Sequence, residues 1–283
     1  MVAAHTTNAE SFSNNGFIVV RGLLPPEEVA LYVGRLKALA GGAPRWTLPD
    51  GVNRHPEFWP VIFNERLLAA VREVLGPEVR YLPHNDLHVG FSSFSWHRDS
   101  VSREFGDGPD WDETQEPYRI VRVGIYLQRF ADSQFRLGLV PGSHRPGDST
   151  PRQRRARQRT GAAAAVVSGL TGIDFVGADA AWVATEPGDC VIFDPRCLHT
   201  GSRIHGEKYS MFVAFGVENA HFRHHWQYYL RLRRDLGYAA IAPALSDSLR
   251  TAGLLASEPP EDLRIDAAWI PSSAYTRVAG LFK

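Results

Sequence analysis

Trp96-His97-Arg98-Asp99 and the later run Gly188-Asp189-Cys190-Val191-Ile192-Phe193-Asp194-Pro195-Arg196-Cys197-Leu198-His199 are the two segments from which this chain can be understood. On an extended backbone His97 and Asp99, two positions apart, leave the same face. A distant His199 would complete two imidazoles and one carboxylate on one side of a metal, a set that leaves coordination positions open and suits non-haem Fe(II) working with O2. Alone, His-x-Asp is equally the pattern of a salt-bridged surface pair, so the surroundings must decide.

The surroundings are rich in short strands. From Val79 onward, apolar runs separated by Gly, Pro, Asp and Ser follow closely: Val79–Leu82, Leu87–Phe91, Ile120–Leu127, Phe135–Val140, Trp182–Ala184, Asp189–Phe193 and Tyr209–Val217. Strands at this density, without regular βαβ alternation, predict an antiparallel sandwich or jelly roll. Before them, Phe17–Arg21 reads as a strand. A helix opens at Pro25-Pro26-Glu27-Glu28, carries Val29, Tyr32, Val33, Leu36 and Leu39 on one face, and ends at Gly41-Gly42. Asn64 caps a second helix closed by Gly76. His221–Leu236 predicts a third, followed by a long tail holding Pro243, Pro259-Pro260 and Pro271.

Composition narrows the function classes. The 283 residues hold 31 basic and 31 acidic side chains, so no global field points to nucleic acid or an acidic membrane surface. Cys190 and Cys197 flank a buried strand without metal-ligand spacing and read as core thiols. No apolar run reaches spanning length and the first residues lack a signal-peptide pattern, so a cytoplasmic protein is expected. Arg145–Arg159 carries six arginines and a single acid, Asp148; it reads as a surface loop, or as a lid whose guanidinium groups meet an anionic substrate. Trp111 sits in a polar insertion that reads as a surface loop or a lid over substrate.

Four segments, in order, resemble the phytanoyl-CoA dioxygenase family of Fe(II)- and 2-oxoglutarate-dependent oxygenases: Ser13–Val29, Trp96–Asp99, Leu137–Gly147 with its Pro-Gly-Ser-His, and Glu186–Ser202 with its Gly-Asp strand and His-x-Gly turn. The resemblance covers residues 13–220. It implies a mainly β fold with flanking helices, a double-stranded β-helix (jelly roll, cupin-like), as a single domain over 1–283 with a C-terminal helix and tail over 221–283. It further implies His97, Asp99 and His199 as iron ligands and catalytic centre, with 2-oxoglutarate and O2 as co-substrates. The reaction implied is hydroxylation of an unactivated C–H of a small molecule (a natural product, sugar or acyl conjugate), giving succinate and CO2. Related halogenases lack the carboxylate, so Asp99 favours hydroxylation.

The family holds the far carboxylate of 2-oxoglutarate with an arginine at the start of the strand after the distal histidine. This chain departs from that pattern, offering Lys208 and Ser210 there, with Arg203 as the alternative cation. Lysine presents a point charge where arginine would present a planar fork. His84, Asn85, Asp86 and His88 are candidates to line the cavity, His144 reads as structural, and His221, His224 and His225 belong to an aromatic packing helix. Desaturation, cyclisation and epimerisation by the same site remain open, as does a non-catalytic jelly-roll binding protein.

Overall fold

In the computed structural model, which describes residues 7–93, 96–101, 106, 108–145, 180–233 and 236–260, the strands form two antiparallel sheets. They are β1 (Phe17–Val20), β2 (Trp46–Pro49), β3 (Val79–Val89), β4 (Ile120–Tyr126), β5 (Arg136–Leu139), β6 (Ala181–Ala184), β7 (Cys190–Phe193), β8 (His199–Gly201) and β9 (Tyr209–Val217). The large sheet runs β1-β7-β4-β9-β3-β2 and the small one β6-β5-β8. This is the expected jelly roll with flanking helices.

Strand alternation explains why the large sheet is buried on both faces. Val121, Val123 and Ile125 of β4, with Met211, Val213 and Phe215 of β9, point outward into the main core. Helix α2 (Pro26–Ala40) covers that side with Tyr32 and Leu36, and α4 (Glu65–Leu75) with Leu67 and Val71. Each such fully buried side chain contributes roughly 1.5–3 kcal/mol. Between them lie β2 and the short α3 (Gly51–Arg54), while the capped α1 (Asn8–Asn15) precedes β1. The inner face carries a second cluster in which Tyr126, Val191 and Phe193 meet Phe135, Leu137 and Leu139 of the small sheet. The cavity opens beside this cluster.

Some expectations are corrected. The runs Val79–Leu82 and Leu87–Phe91 belong to one strand, β3, whose register against β9 shifts between Leu82 and Asp86. The helix expected over His221–Leu236 is α-helical only over Ala220–Gln227 and then winds as a π-helix over Tyr228–Leu232. The wider turn rephases the chain, so that Tyr228 and Tyr229 both become buried. A helix at Pro243–Thr251, with Leu245 and Leu249 buried, interrupts what reads as a plain tail. Trp111 is neither lid nor surface loop: it is 7% exposed, with the Arg98 and Arg196 guanidinium groups each 5.6 Å from its ring. The Arg145–Arg159 segment lies outside the described residues except for Arg145.

Candidate metal centre and its cavity

His97 and His199 face each other across a pair of backbone hydrogen bonds: each amide donates to the other's carbonyl, at 2.9 and 3.0 Å. The Asp99 amide donates to the Pro195 carbonyl at 2.8 Å, which fixes the third side chain to the same turn. One ligand atom from each of His97, Asp99 and His199 lies within 4.8 Å of the others. The Asp99 carboxylate stands 3.7 Å from Nε2 of both histidines, oxygen by oxygen. If the His199 Nδ1–H donates to the Cys197 carbonyl 2.9 Å away, its Nε2 lone pair is left for a cation. Burial, then His97, pushes the His199 pKa down to about 3, so it stays neutral. Among the described residues this is the one cluster of three such groups placed to hold a metal ion.

The motifs around the cluster act as clamps. Ser143 of the Pro-Gly-Ser-His turn donates to the Val140 carbonyl at 2.6 Å and accepts the Leu198 amide at 2.8 Å, pinning the residue before His199. Asp189 accepts from the Gly22 and Glu186 amides and pairs with Arg21 at 2.6 Å. Gly188 needs its left-handed φ of 86°, and a Cβ there would lie 2.3 Å from the Leu24 carbonyl oxygen. His144 packs against the Gly16 turn, in keeping with a structural role.

A cavity of about 200 Å³ is lined by the cluster and by Lys208. Lys208 is 2% exposed, donates to Ser210 Oγ at 2.8 Å and stands 4.5 Å from the Phe135 ring centroid. Burial pushes its pKa down to about 7. The buried Tyr126 hydroxyl has no hydrogen-bond partner among the described residues. Arg203, the other candidate cation, is exposed and does not line the cavity. Of the earlier candidates, His84, Asp86 and His88 line it, whereas Asn85 turns away and accepts the Val52 amide at 2.8 Å.

Sequence reasoning missed Arg122. Buried on β4, it pairs with Asp86 at 2.7 Å and lies 3.5 Å from the Asp99 carboxylate, and it donates to the His84 carbonyl. Burial works against its charge, but Asp86 and Asp99 outweigh burial and raise its pKa. Its signal was a charged residue inside the otherwise apolar Ile120–Tyr126. Also missed were Tyr229, Arg233, Leu236 and Tyr238, which form the outer wall. Tyr229 stacks on His84 with centroids 3.5 Å apart, and Tyr238 donates to Asp86 at 3.1 Å. His224 and His225 pack behind this wall, with His84 Nδ1 2.9 Å from His225 Nε2.

Comparison with known proteins agrees with this geometry. An ectoine dioxygenase of Streptomyces anulatus is 28% identical over 156 residues, covering 48% of this chain and 50% of that protein, so the chain spans about half the length of the curated relatives it matches. HygX from Streptomyces hygroscopicus, solved with nickel and 2-oxoglutarate bound, superposes with a TM-score of 0.51 at 20% identity, covering 72% of this chain and 84% of its own. The non-heme alpha-ketoglutarate-dependent carbocyclase SnoK gives 0.53 at 13% identity, covering 74% and 82%. These likenesses show a shared fold. The family model for phytanoyl-CoA dioxygenase (PhyH) matches residues 12–211, both metal motifs included, and the chain belongs to that family.

Proposed function

We propose that this chain is an Fe(II)- and 2-oxoglutarate-dependent oxygenase that hydroxylates an unactivated C–H of a small molecule. Two observations support the reading. His97, Asp99 and His199 converge within 4.8 Å, and the same cavity is lined by a buried lysine and by a phenol with no hydrogen-bond partner among the described residues, a pair suited to an anion. The residues present fit both groups. Two neutral imidazoles and one carboxylate suit a ferrous ion and leave room for a bidentate 2-oxoacid. Lys208 and Ser210 would hold the far carboxylate, and Arg203, exposed outside the cavity, would not.

When bound together, iron and 2-oxoglutarate supply oxidative decarboxylation to succinate and CO2, coupled to oxidation of a substrate C–H. This chain's own residues do the rest. Arg122 holds the Asp99 carboxylate in place from behind. Phe135, Leu137 and Phe193 line the cavity and shield it from water. Tyr229, Arg233 and Tyr238 wall the side where a substrate would lie. The single-domain organisation over 1–283, a cytoplasmic location and an anionic substrate belong to the same proposal.

The test is spectroscopic and kinetic. Anaerobic protein with Fe(II) and 2-oxoglutarate should show a weak visible charge-transfer band that His199→Ala abolishes, and O2 should then yield succinate. No band and no oxygen-dependent succinate would sink the reading. Desaturation, cyclisation or epimerisation would share the band and differ in product.

A further inference from the structure

Lys208 is an unusual cation. It lies 2% exposed just before β9, and among the described residues its Nζ makes one hydrogen bond, to the neutral Ser210 Oγ. Its other neighbours are the faces of Phe135 and Tyr126, at 4.5 and 5.7 Å from the ring centroids. No carboxylate stands within ion-pair distance among the described residues.

The groups facing it from the packed elements give it no counter-charge. From β3 comes His88, whose pKa burial holds well below the usual imidazole range, so it is neutral. From β4 come Tyr126, whose pKa burial raises, and Arg122, committed to Asp86 and Asp99. Tyr209, next along the chain, packs into the outer core instead. Glu207, exposed, pairs with Lys37 at 3.2 Å. A buried ammonium without an anion sheds its proton more readily than one in water.

The geometry points to co-substrate binding that carries a proton with it: Lys208 stands as the amine until the far carboxylate of 2-oxoglutarate docks, and then becomes the ammonium. The inference rests on the oxygenase reading, since it takes 2-oxoglutarate as the ligand. The balance is simple. R–NH2 takes H⁺ from solvent and meets R′–COO⁻ as an ammonium–carboxylate pair, with no bond broken in the co-substrate. The lowered pKa of about 7 agrees with this arrangement. An arginine at this position would be charged at every working pH and would show no such coupling. The lysine therefore makes co-substrate affinity sensitive to pH where an arginine would not.

The experiment is calorimetric titration of 2-oxoglutarate into nickel-loaded full-length protein, in two buffers of different ionisation enthalpy. At pH 8 the wild type should take up about one proton per 2-oxoglutarate, and affinity should fall nearly tenfold per unit between about pH 7.5 and 9. Lys208→Arg should bind with neither proton uptake nor that slope. Lys208→Met should lose most affinity at every pH, with circular dichroism reporting its fold. Wild-type binding without proton uptake, or Lys208→Arg with the same uptake, overturns the inference and leaves the oxygenase reading standing. Absence of any 2-oxoglutarate binding at pH 6.5 overturns the inference, and the visible band of iron-loaded protein then decides whether the oxygenase reading falls with it.

Discussion

Arg122→Met is the most revealing perturbation of the metal centre. Methionine keeps much of the side-chain length while removing the charge that Asp86 and Asp99 share at 2.7 and 3.5 Å. Stripping one partner from a buried ion pair costs roughly 3–5 kcal/mol. The two carboxylate side chains retain 16% and 19% exposure, which discounts that range to about 2–4 kcal/mol. At about 2–4 °C per kcal/mol for a chain of this size, the metal-free variant should melt roughly 4–16 °C below wild type. A divalent cation neutralises Asp99 and leaves Asp86 as the main uncompensated charge, so about half the loss should vanish on metal loading.

Linkage then requires the variant to bind metal more tightly, by about 5- to 30-fold. Thermal melting with chelator and with nickel, plus competition against a metal indicator, reads both quantities. The pH dependence has a definite sign. Burial already raises the Asp86 carboxyl pKa against the pull of Arg122, and loss of Arg122 raises it further, so the added penalty is absent at low pH, grows as pH climbs from the unfolded toward the folded pKa, and is complete above it. Equal melting losses with and without metal, or weaker metal binding, would refute the assignment of Arg122 as the shared counter-charge.

Other outcomes follow from the same geometry. Lys208→Met should raise the melting temperature at pH 7, because a folded pKa lowered to about 7 makes wild-type stability climb with pH until the unfolded lysine also deprotonates; the advantage should fade toward about pH 10, and identical pH profiles would contradict it. Ser143→Ala orphans the Leu198 amide, so a loss of roughly 1–3 kcal/mol by denaturant titration should accompany weaker metal binding at His199. Gly188→Ala sets a Cβ 2.3 Å from a backbone oxygen at φ 86°, and soluble yield should collapse; near-wild-type yield and melting would show that the turn can shift.

Much of this was legible in the chain. His97, Asp99 and His199 were readable because metal ligation demands particular atoms and their two segments resemble the family's metal motifs. Lys208 and Ser210 were singled out from the family's arginine position after the distal histidine, and strand alternation puts them on one face and turns Tyr209 outward. Arg122 escaped, and with it the ion pair it makes with Asp86, because that pairing depends on β3 and β4 both flanking β9, a long-range adjacency. Trp111 misled because its neighbours are polar, yet two guanidinium groups make an aromatic ring welcome there. The π-turn at Tyr228–Leu232 escaped because its spacing matches a helix while its wider winding does not.

That turn has a consequence for how such a protein can diversify. The cluster of His97, Asp99 and His199 is furnished by residues inside the matched stretch 12–211, whereas Tyr229, Arg233, Leu236 and Tyr238 come from beyond it. Reactivity and recognition are thus written in separate paragraphs of the same chain. A transplanted tail could retarget the catalyst while the reactive chemistry is inherited whole.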